Sequence, residues 1–115
     1  MKLIVRELAG ENCISYEDGQ KIYDLIHPEL QAGRSVELDF SDIRVLVSLF
    51  LNAAIGRLLA DIPADDLNRL LTVSNLPPGG RERLKRVIEN SKDYYFNPQV
   101  RKALDRILAE QTVET

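Results

Sequence analysis

The segment from Val36 to Leu59 constrains the fold more than any other part of the chain. It begins with alternating apolar residues and continues, after a short polar loop, into a run that is apolar on nearly all sides. The alternation predicts a buried strand, and the run predicts a buried helix from Ser48 to Ile62 that ends at Pro63. A strand followed closely by such a helix favours an α/β fold, in which helices cover a sheet.

The remaining segments alternate in the same way. Strands are predicted at residues 2–8, 13–15, 35–40 and 70–75, and helices at 16–30, 48–62, 81–96 and around 100–108. The order β(β)αβαβαα, with short connections, predicts a small, mixed but mostly parallel sheet with helices packed mainly on one face. Because no linker or repeat interrupts residues 1–115, we expect one domain.

The first predicted helix, at residues 16–30, is amphipathic. Its apolar residues recur at helical spacing, and they are Ile22, Leu25, Ile26 and Leu30. Ser15 or Asp18 is expected to cap its start, and Gly33 to end it. Since proline removes a backbone donor, Pro28 predicts a kink or a broken final turn.

Composition excludes several classes of site. A formal net charge of −3 provides no overall attraction to nucleic acid or anionic membranes. The single Cys13 rules out a disulfide or a multi-cysteine metal site within one chain, and the single His27 rules out a histidine-rich one. The longest apolar run, residues 45–56, is shorter than the roughly 20 residues of a spanning helix. We expect a cytoplasmic protein without a cofactor or metal.

Two constellations resemble catalytic groups but have simpler interpretations. Asp39 and Asp42 flank a strand end, where Asp42 is expected to close an Asx turn and Asp39 to face solvent or an arginine. Cys13 would be a nucleophile only beside His27 in an electropositive pocket, and nothing in the sequence brings the two together. The chain is therefore predicted not to be an enzyme.

Ser48 stands where the buried helix begins, and two roles are open for it. Its hydroxyl oxygen can cap the helix by accepting from the N–H of Phe50 or Leu51. It can also receive a phosphate beside the positive helix end. One turn further on, Asn52 and Gly56 predict close packing of this helix on the sheet.

Residues 38–43, Leu-Asp-Phe-Ser-Asp-Ile, and residues 48–59, Ser-Leu-Phe-Leu-Asn-Ala-Ala-Ile-Gly-Arg-Leu-Leu, together resemble a STAS domain. The similarity is closer to a bacterial STAS-like family of unknown function, and it extends through residues 70–75 and 86–95. It implies a signalling module that binds proteins and resembles anti-sigma factor antagonists. The partner that it implies is a GHKL-type ATP-binding kinase or anti-sigma regulator.

The resemblance also implies a contact surface at the start of this helix. Its predicted residues are Arg44, Val47, Ser48, Leu49 and Asn52. In the wider family the phosphorylated segment reads Asp-Ser-Ser/Thr-Gly-Leu, whereas residues 47–51 here read Val-Ser-Leu-Phe-Leu. Leu49 stands where the phosphate is usually carried, so Ser48 is the nearest hydroxyl and the phosphorylation candidate.

The alternative function is nucleic-acid binding or transcriptional control through a basic helix face. Its residues are Arg81, Arg83, Lys85 and Arg86. Alternation with Glu82 and Glu89 favours an ordinary solvated face instead. A strand left at the sheet edge could also support a homodimer.

Overall fold

Two parallel sheets and five α-helices make up the fold in the computed structural model, which describes residues 1–96. The strands are β1 (Lys2–Ile4), β2 (Asn12–Cys13), β3 (Val36–Asp39), β4 (Val45–Leu46) and β5 (Leu71–Ser74). The helices are α1 (Val5–Ala9), α2 (Tyr16–Gln31), α3 (Ser48–Ala54), α4 (Ala64–Leu70) and α5 (Gly80–Phe96), with a 3-10 helix (Gly56–Ala60) after α3. The helix predicted around residues 100–108 lies outside the described residues.

The central strand is β3, which pairs in parallel with β1 on one side and β5 on the other. Leu38 is in register with Leu3 and with Val73, and the apolar side chains of β3, Val36 and Leu38, are buried. A second, two-stranded sheet joins β2 and β4, also in parallel. Parallel strands with helices packed against them confirm the predicted α/β class.

Helices α2 and α3 pack closely because α2 has a glycine at their contact. A Cβ atom on Gly19 would lie 2.6 Å from the Phe50 carbonyl oxygen and 2.7 Å from the Ala53 Cβ. Ile22, Ile26 and Leu30 continue the buried side of α2, whereas Leu25, predicted on the same stripe, is 42% exposed.

The ends of α2 follow the sequence except at its proline. Ser15 caps the helix, because its Oγ accepts from the Asp18 N–H at 3.1 Å. The broken final turn predicted at Pro28 is wrong, since α2 continues to Gln31. The turn is held by the Ala32 N–H, which donates to the Pro28 carbonyl oxygen at 3.1 Å. Gly33 follows with a φ of +79°, a left-handed conformation that suits glycine.

The predicted first strand, residues 2–8, is shorter in the structure. It ends at Ile4, and α1 begins at Val5, which is fully buried. Val5, Leu8 and Ala9 have helical spacing, so the apolar pattern of this segment fits a short helix as well as a strand. Gly10 ends α1, with its N–H donating to the Arg6 carbonyl oxygen at 2.9 Å.

The predicted helix at residues 48–62 is divided. It leaves α-geometry at Ile55 (φ −121°, ψ −47°) and continues as the 3-10 helix. A Cβ on Gly56 would lie 2.7 Å from the Ser91 Oγ and 3.2 Å from the Val87 Cγ1, so Gly56 packs on α5. The prediction that Gly56 packs on the sheet is therefore wrong. Within residues 1–96, no helix is long and apolar enough to cross a membrane.

Candidate protein-interaction site

The five residues of the predicted contact surface lie in residues 44–52, which contain β4 and the start of α3. Ser48 and Asn52 stand one turn apart on α3 and are both exposed, and Leu49 beside them is 52% exposed. Arg44, just before β4, is exposed and pairs with Glu11 at 3.6 Å. Val47 is half-buried. Four of these five residues are therefore exposed.

Two further apolar residues border this segment. Asn12 is in register with Val45 and the buried Cys13 with Leu46, so Val45 lies on the outer face of the β2–β4 sheet. Ile14 follows Cys13 and is 54% exposed, and Val45 is 43% exposed. Sequence reasoning missed both, because a two-residue strand is too short for apolar alternation to show.

We define the α3 surface as these exposed residues together with Val47. Its members are Ile14, Arg44, Val45, Val47, Ser48, Leu49 and Asn52. The Val47 N–H donates to the Cys13 carbonyl oxygen at 3.1 Å, which fixes β2 beside the start of α3. The surface thus combines three large exposed apolar side chains with an arginine, a hydroxyl and an amide.

The structure corrects the capping role predicted for Ser48. The cap position of α3 is Val47, with φ −108° and ψ 158°, and no side chain caps the helix. Ser48 is already the first helical residue, so its Oγ is not placed like that of a cap residue, whose backbone is extended. Within the described residues, its hydroxyl makes no side-chain hydrogen bond and faces solvent.

Asp39 is the group whose predicted position is wrong, because it is only 8% exposed. Its Oδ1 accepts from the Ser41 hydroxyl at 2.6 Å, the Ser41 N–H at 2.9 Å and the Asn75 amide at 3.0 Å. These bonds, led by the Ser41 hydroxyl, lower the pKa of Asp39 to about 2, with a smaller contribution from Lys2. Asp39, and not Asp42, closes the Asx turn.

Asp42 lies apart from this network. It has a φ of 60°, is exposed, and pairs with Arg6 at 3.7 Å. The two aspartates flanking the end of β3 therefore have separate partners. The Asp39 carboxylate is occupied by its turn and by the residue that follows β5.

Cys13 and His27 also have separate surroundings. Burial raises the pKa of the Cys13 thiol to about 11, and the Asp18 carboxylate contributes in the same direction. The His27 Nε2 lies 2.8 Å from the Asp61 Oδ2, and its ring stacks on Tyr23 at 4.8 Å. The structure gives the histidine a carboxylate partner and leaves the thiol in the core.

The basic residues of the alternative function are distributed around α5. Arg83 donates to the Leu46 carbonyl oxygen at 3.1 Å and so ties α5 to β4. Arg81 and Lys85 stand one turn apart, and Lys85 and Arg86 each have glutamates at helical spacing on both sides. Nucleic-acid binding by this helix stays a prediction.

The family comparison covers the elements that carry the α3 surface. The chain matches the family described as STAS-like domain of unknown function (DUF4325) over residues 18–81. It belongs to this STAS-like family. The matched range contains β3, β4 and α3, and therefore every residue of the α3 surface except Ile14. No curated protein and no solved structure matches the chain significantly.

Proposed function

We propose that this STAS-like chain is a non-enzymatic regulatory module that binds another protein through the α3 surface. The observation that carries the proposal is the exposure of Ile14, Val45 and Leu49 on adjoining segments. Large apolar side chains gathered on a surface favour a site of contact with another protein. Arg44, Ser48 and Asn52 supply the polar groups that typically surround such an apolar centre.

The partner follows from the family resemblance. We propose a GHKL-type ATP-binding kinase or anti-sigma regulator in the cytoplasm, with the chain acting in the manner of an anti-sigma factor antagonist. The apolar centre would supply affinity, and the polar rim would orient the two proteins. This partner class is more specific than protein binding itself. It can be wrong even if the chain binds another protein through the α3 surface.

We further propose that phosphorylation of Ser48 regulates the contact. A phosphate adds about −1.5 to −2 charges at neutral pH. The Ser48 hydroxyl is exposed and makes no hydrogen bond within the described residues, so phosphorylation would leave the fold intact. A partner surface fitted to a neutral hydroxyl and to Leu49 would be repelled by that charge.

Affinity capture with matched leucine variants tests the contact surface. The baits are the wild-type chain, Leu49→Asp, and the control Leu25→Asp, which places the same charge at an exposed leucine on α2. We expect wild type and Leu25→Asp to retain one protein in comparable amounts, and Leu49→Asp to lose it. Equal recovery by all three baits, or no specific partner for any, would contradict the proposal.

Binding of the captured protein to serine variants tests the regulation. Ser48→Ala should bind like wild type, and Ser48→Asp should bind about tenfold or more weakly, a loss of about 1.4 kcal/mol or more. Mass spectrometry of the chain from its native cells should find phosphate on Ser48. Equal binding of both variants would remove the phosphorylation proposal while leaving the contact surface in place. A partner without a GHKL-type ATP-binding domain would remove the partner class.

A further inference from the structure

Arg57 lies over the rings of two tyrosines of α2 and lines a cavity together with the other two tyrosines of the chain. The Arg57 guanidinium carbon lies 4.3 Å from the ring centroid of Tyr23 and 5.9 Å from that of Tyr16. Tyr94 and Tyr95, from α5, line the same cavity as Arg57. Residues far apart in sequence are therefore gathered at one corner between α2, the 3-10 helix and α5. We call it the Arg57 corner.

Arg57 differs from the other lysine and arginine side chains of residues 1–80. Each of the others lies within 4.0 Å of a carboxylate oxygen, and they are Lys2, Arg6, Lys21, Arg34, Arg44 and Arg69. Within the described residues, Arg57 has no carboxylate at that distance, and its guanidinium donates to the Gln20 side-chain oxygen. The nearby Asp61 is engaged by His27 and Gln31. Among residues 1–96, the arginine is thus held in place by an amide and an aromatic ring rather than by a carboxylate.

The cavity at the Arg57 corner has a volume of about 280 Å³. Of the described residues that line it, Arg57 is the one charged group, and none is acidic. Asn52, Asn90 and Ser91 add amide and hydroxyl groups that can donate hydrogen bonds. A cavity of this size is at the lower limit for small-molecule sites, which favours a small ligand over a nucleotide.

We propose that the Arg57 corner binds a small oxyanion, a phosphate or a carboxylate group. A guanidinium presents several donors in one plane and matches either oxyanion with paired, charge-assisted hydrogen bonds. Stacking on Tyr23 and the bond to Gln20 hold the guanidinium in one orientation before the ligand arrives, which lowers the entropic cost of binding. The amides of Asn52 and Asn90 then complete the donor set.

Nuclear magnetic resonance titration of the isotope-labelled full chain tests this site. Sodium phosphate and sodium acetate are added separately at an ionic strength matched with sodium chloride. We expect at least one of the two oxyanions to cause saturable shifts of the Arg57 Nε–H and of the Asn52 and Asn90 side-chain amides. Chloride alone should cause none, and the arm that saturates at the lower concentration identifies the preferred oxyanion.

Matched variants separate a specific site from general charge effects. Asn90→Asp places a negative charge in the lining, and we expect it to weaken binding about tenfold or more. The control Asn68→Asp makes the same change on an exposed asparagine of α4 and should bind the oxyanion like wild type. Arg57→Lys should also weaken binding, because a lysine cannot form paired hydrogen bonds.

Two results would overturn the proposal. The first is the absence of saturable shifts with either oxyanion in the wild-type chain, and the second is equal weakening by Asn90→Asp and Asn68→Asp. Leu49→Asp, which disrupts the α3 surface, should leave oxyanion binding unchanged. A failure of the protein-binding proposal is therefore distinguishable from a failure at the Arg57 corner.

Discussion

Ser15 precedes α2 and Ser48 begins α3, so the molecule has serines at the starts of two neighbouring helices. Ser15 has an extended backbone (φ −103°, ψ 149°), and its Oγ accepts from the Asp18 N–H at 3.1 Å. Ser48 is already helical, and the cap position before it is a valine. A shift of one residue relative to the helix start therefore decides whether the hydroxyl stabilises the helix or remains at the surface.

The first turns of the two helices also differ in charge. The first turn of α2 carries Glu17 and Asp18, which suit the positive end of a helix, whereas the first turn of α3 carries no acid. In its place α3 exposes Leu49. The start of α2 has its hydrogen-bonding groups capped within the chain, whereas the start of α3 exposes side chains that a partner protein would contact.

The largest expected effect separates the two sides of α3. Phe50 is fully buried beside the exposed Leu49. Phe50→Ala should lower the free energy of unfolding by about 3–5 kcal/mol, because it leaves a cavity in the core. Leu49→Ala should change it by no more than about 0.5 kcal/mol. Urea unfolding of both variants measures the difference, and similar losses would show that α3 does not have one buried and one exposed side.

The hydrogen-bonded carboxylate of Asp39 should make the stability of the fold depend on pH in acid. The pKa of Asp39 is about 2, below its ordinary value of 3.8. Its ionised form therefore stabilises the folded state at pH values above 3.8. That contribution should be lost as the pH falls from about 4 through about 2. Asp39→Asn should reduce the pH dependence of the unfolding midpoint in this range, with an effect smaller than that of Phe50→Ala. An unchanged pH profile would contradict the network around Asp39.

Close packing of α2 on α3 should make Gly19 intolerant of a methyl group. Gly19→Ala should destabilise the fold by about 1–3 kcal/mol, since the new Cβ would overlap the Phe50 carbonyl oxygen and the Ala53 Cβ. Without that contact, alanine would instead stabilise a helix interior by about 0.5–1 kcal/mol. Thermal unfolding distinguishes the two signs, and a stabilised variant would contradict the close approach.

The smallest effect tests the two serines directly. Ser15→Ala should cost about 1 kcal/mol, because it leaves the Asp18 N–H without its capping oxygen. Ser48→Ala should change stability by no more than about 0.5 kcal/mol, because its hydroxyl caps nothing. Denaturant unfolding of the pair checks the contrast. A loss at Ser48 equal to that at Ser15 would restore the capping role that the structure rejects.

Much of the fold could be predicted, because several segments are long and periodic. The apolar spacing of residues 16–30 and the alternation of Val36, Leu38 and Phe40 indicate α2 and β3 with nearly their observed bounds. Prediction failed at residues 2–8, where the local pattern fits a helix as well as a strand, and where distant contacts override the local pattern. The break after α3 coincides with the contact of Gly56 with α5, which no local pattern reveals.

The candidate sites divide in a similar way. Residues Arg44 to Asn52 were predicted from the family resemblance, whereas Ile14 and Val45 required the pairing of β2 with β4. The prediction that Asp39 faces solvent is wrong. Strand alternation predicts an outward side chain, but the Asx turn and the bond from Asn75 hold the carboxylate in a buried position. The Arg57 corner gathers residues from α2, the 3-10 helix and α5, so no sequence motif marks it.

Site-specific photo-cross-linking inside native cells tests the central claim most directly. A photoreactive amino acid replaces Leu49 on the α3 surface in one strain and the exposed Leu25 of α2 in another. We predict one dominant protein adduct from position 49 and none of that mass from position 25. The absence of an adduct at position 49, or the same adducts from both positions, would contradict binding through the α3 surface.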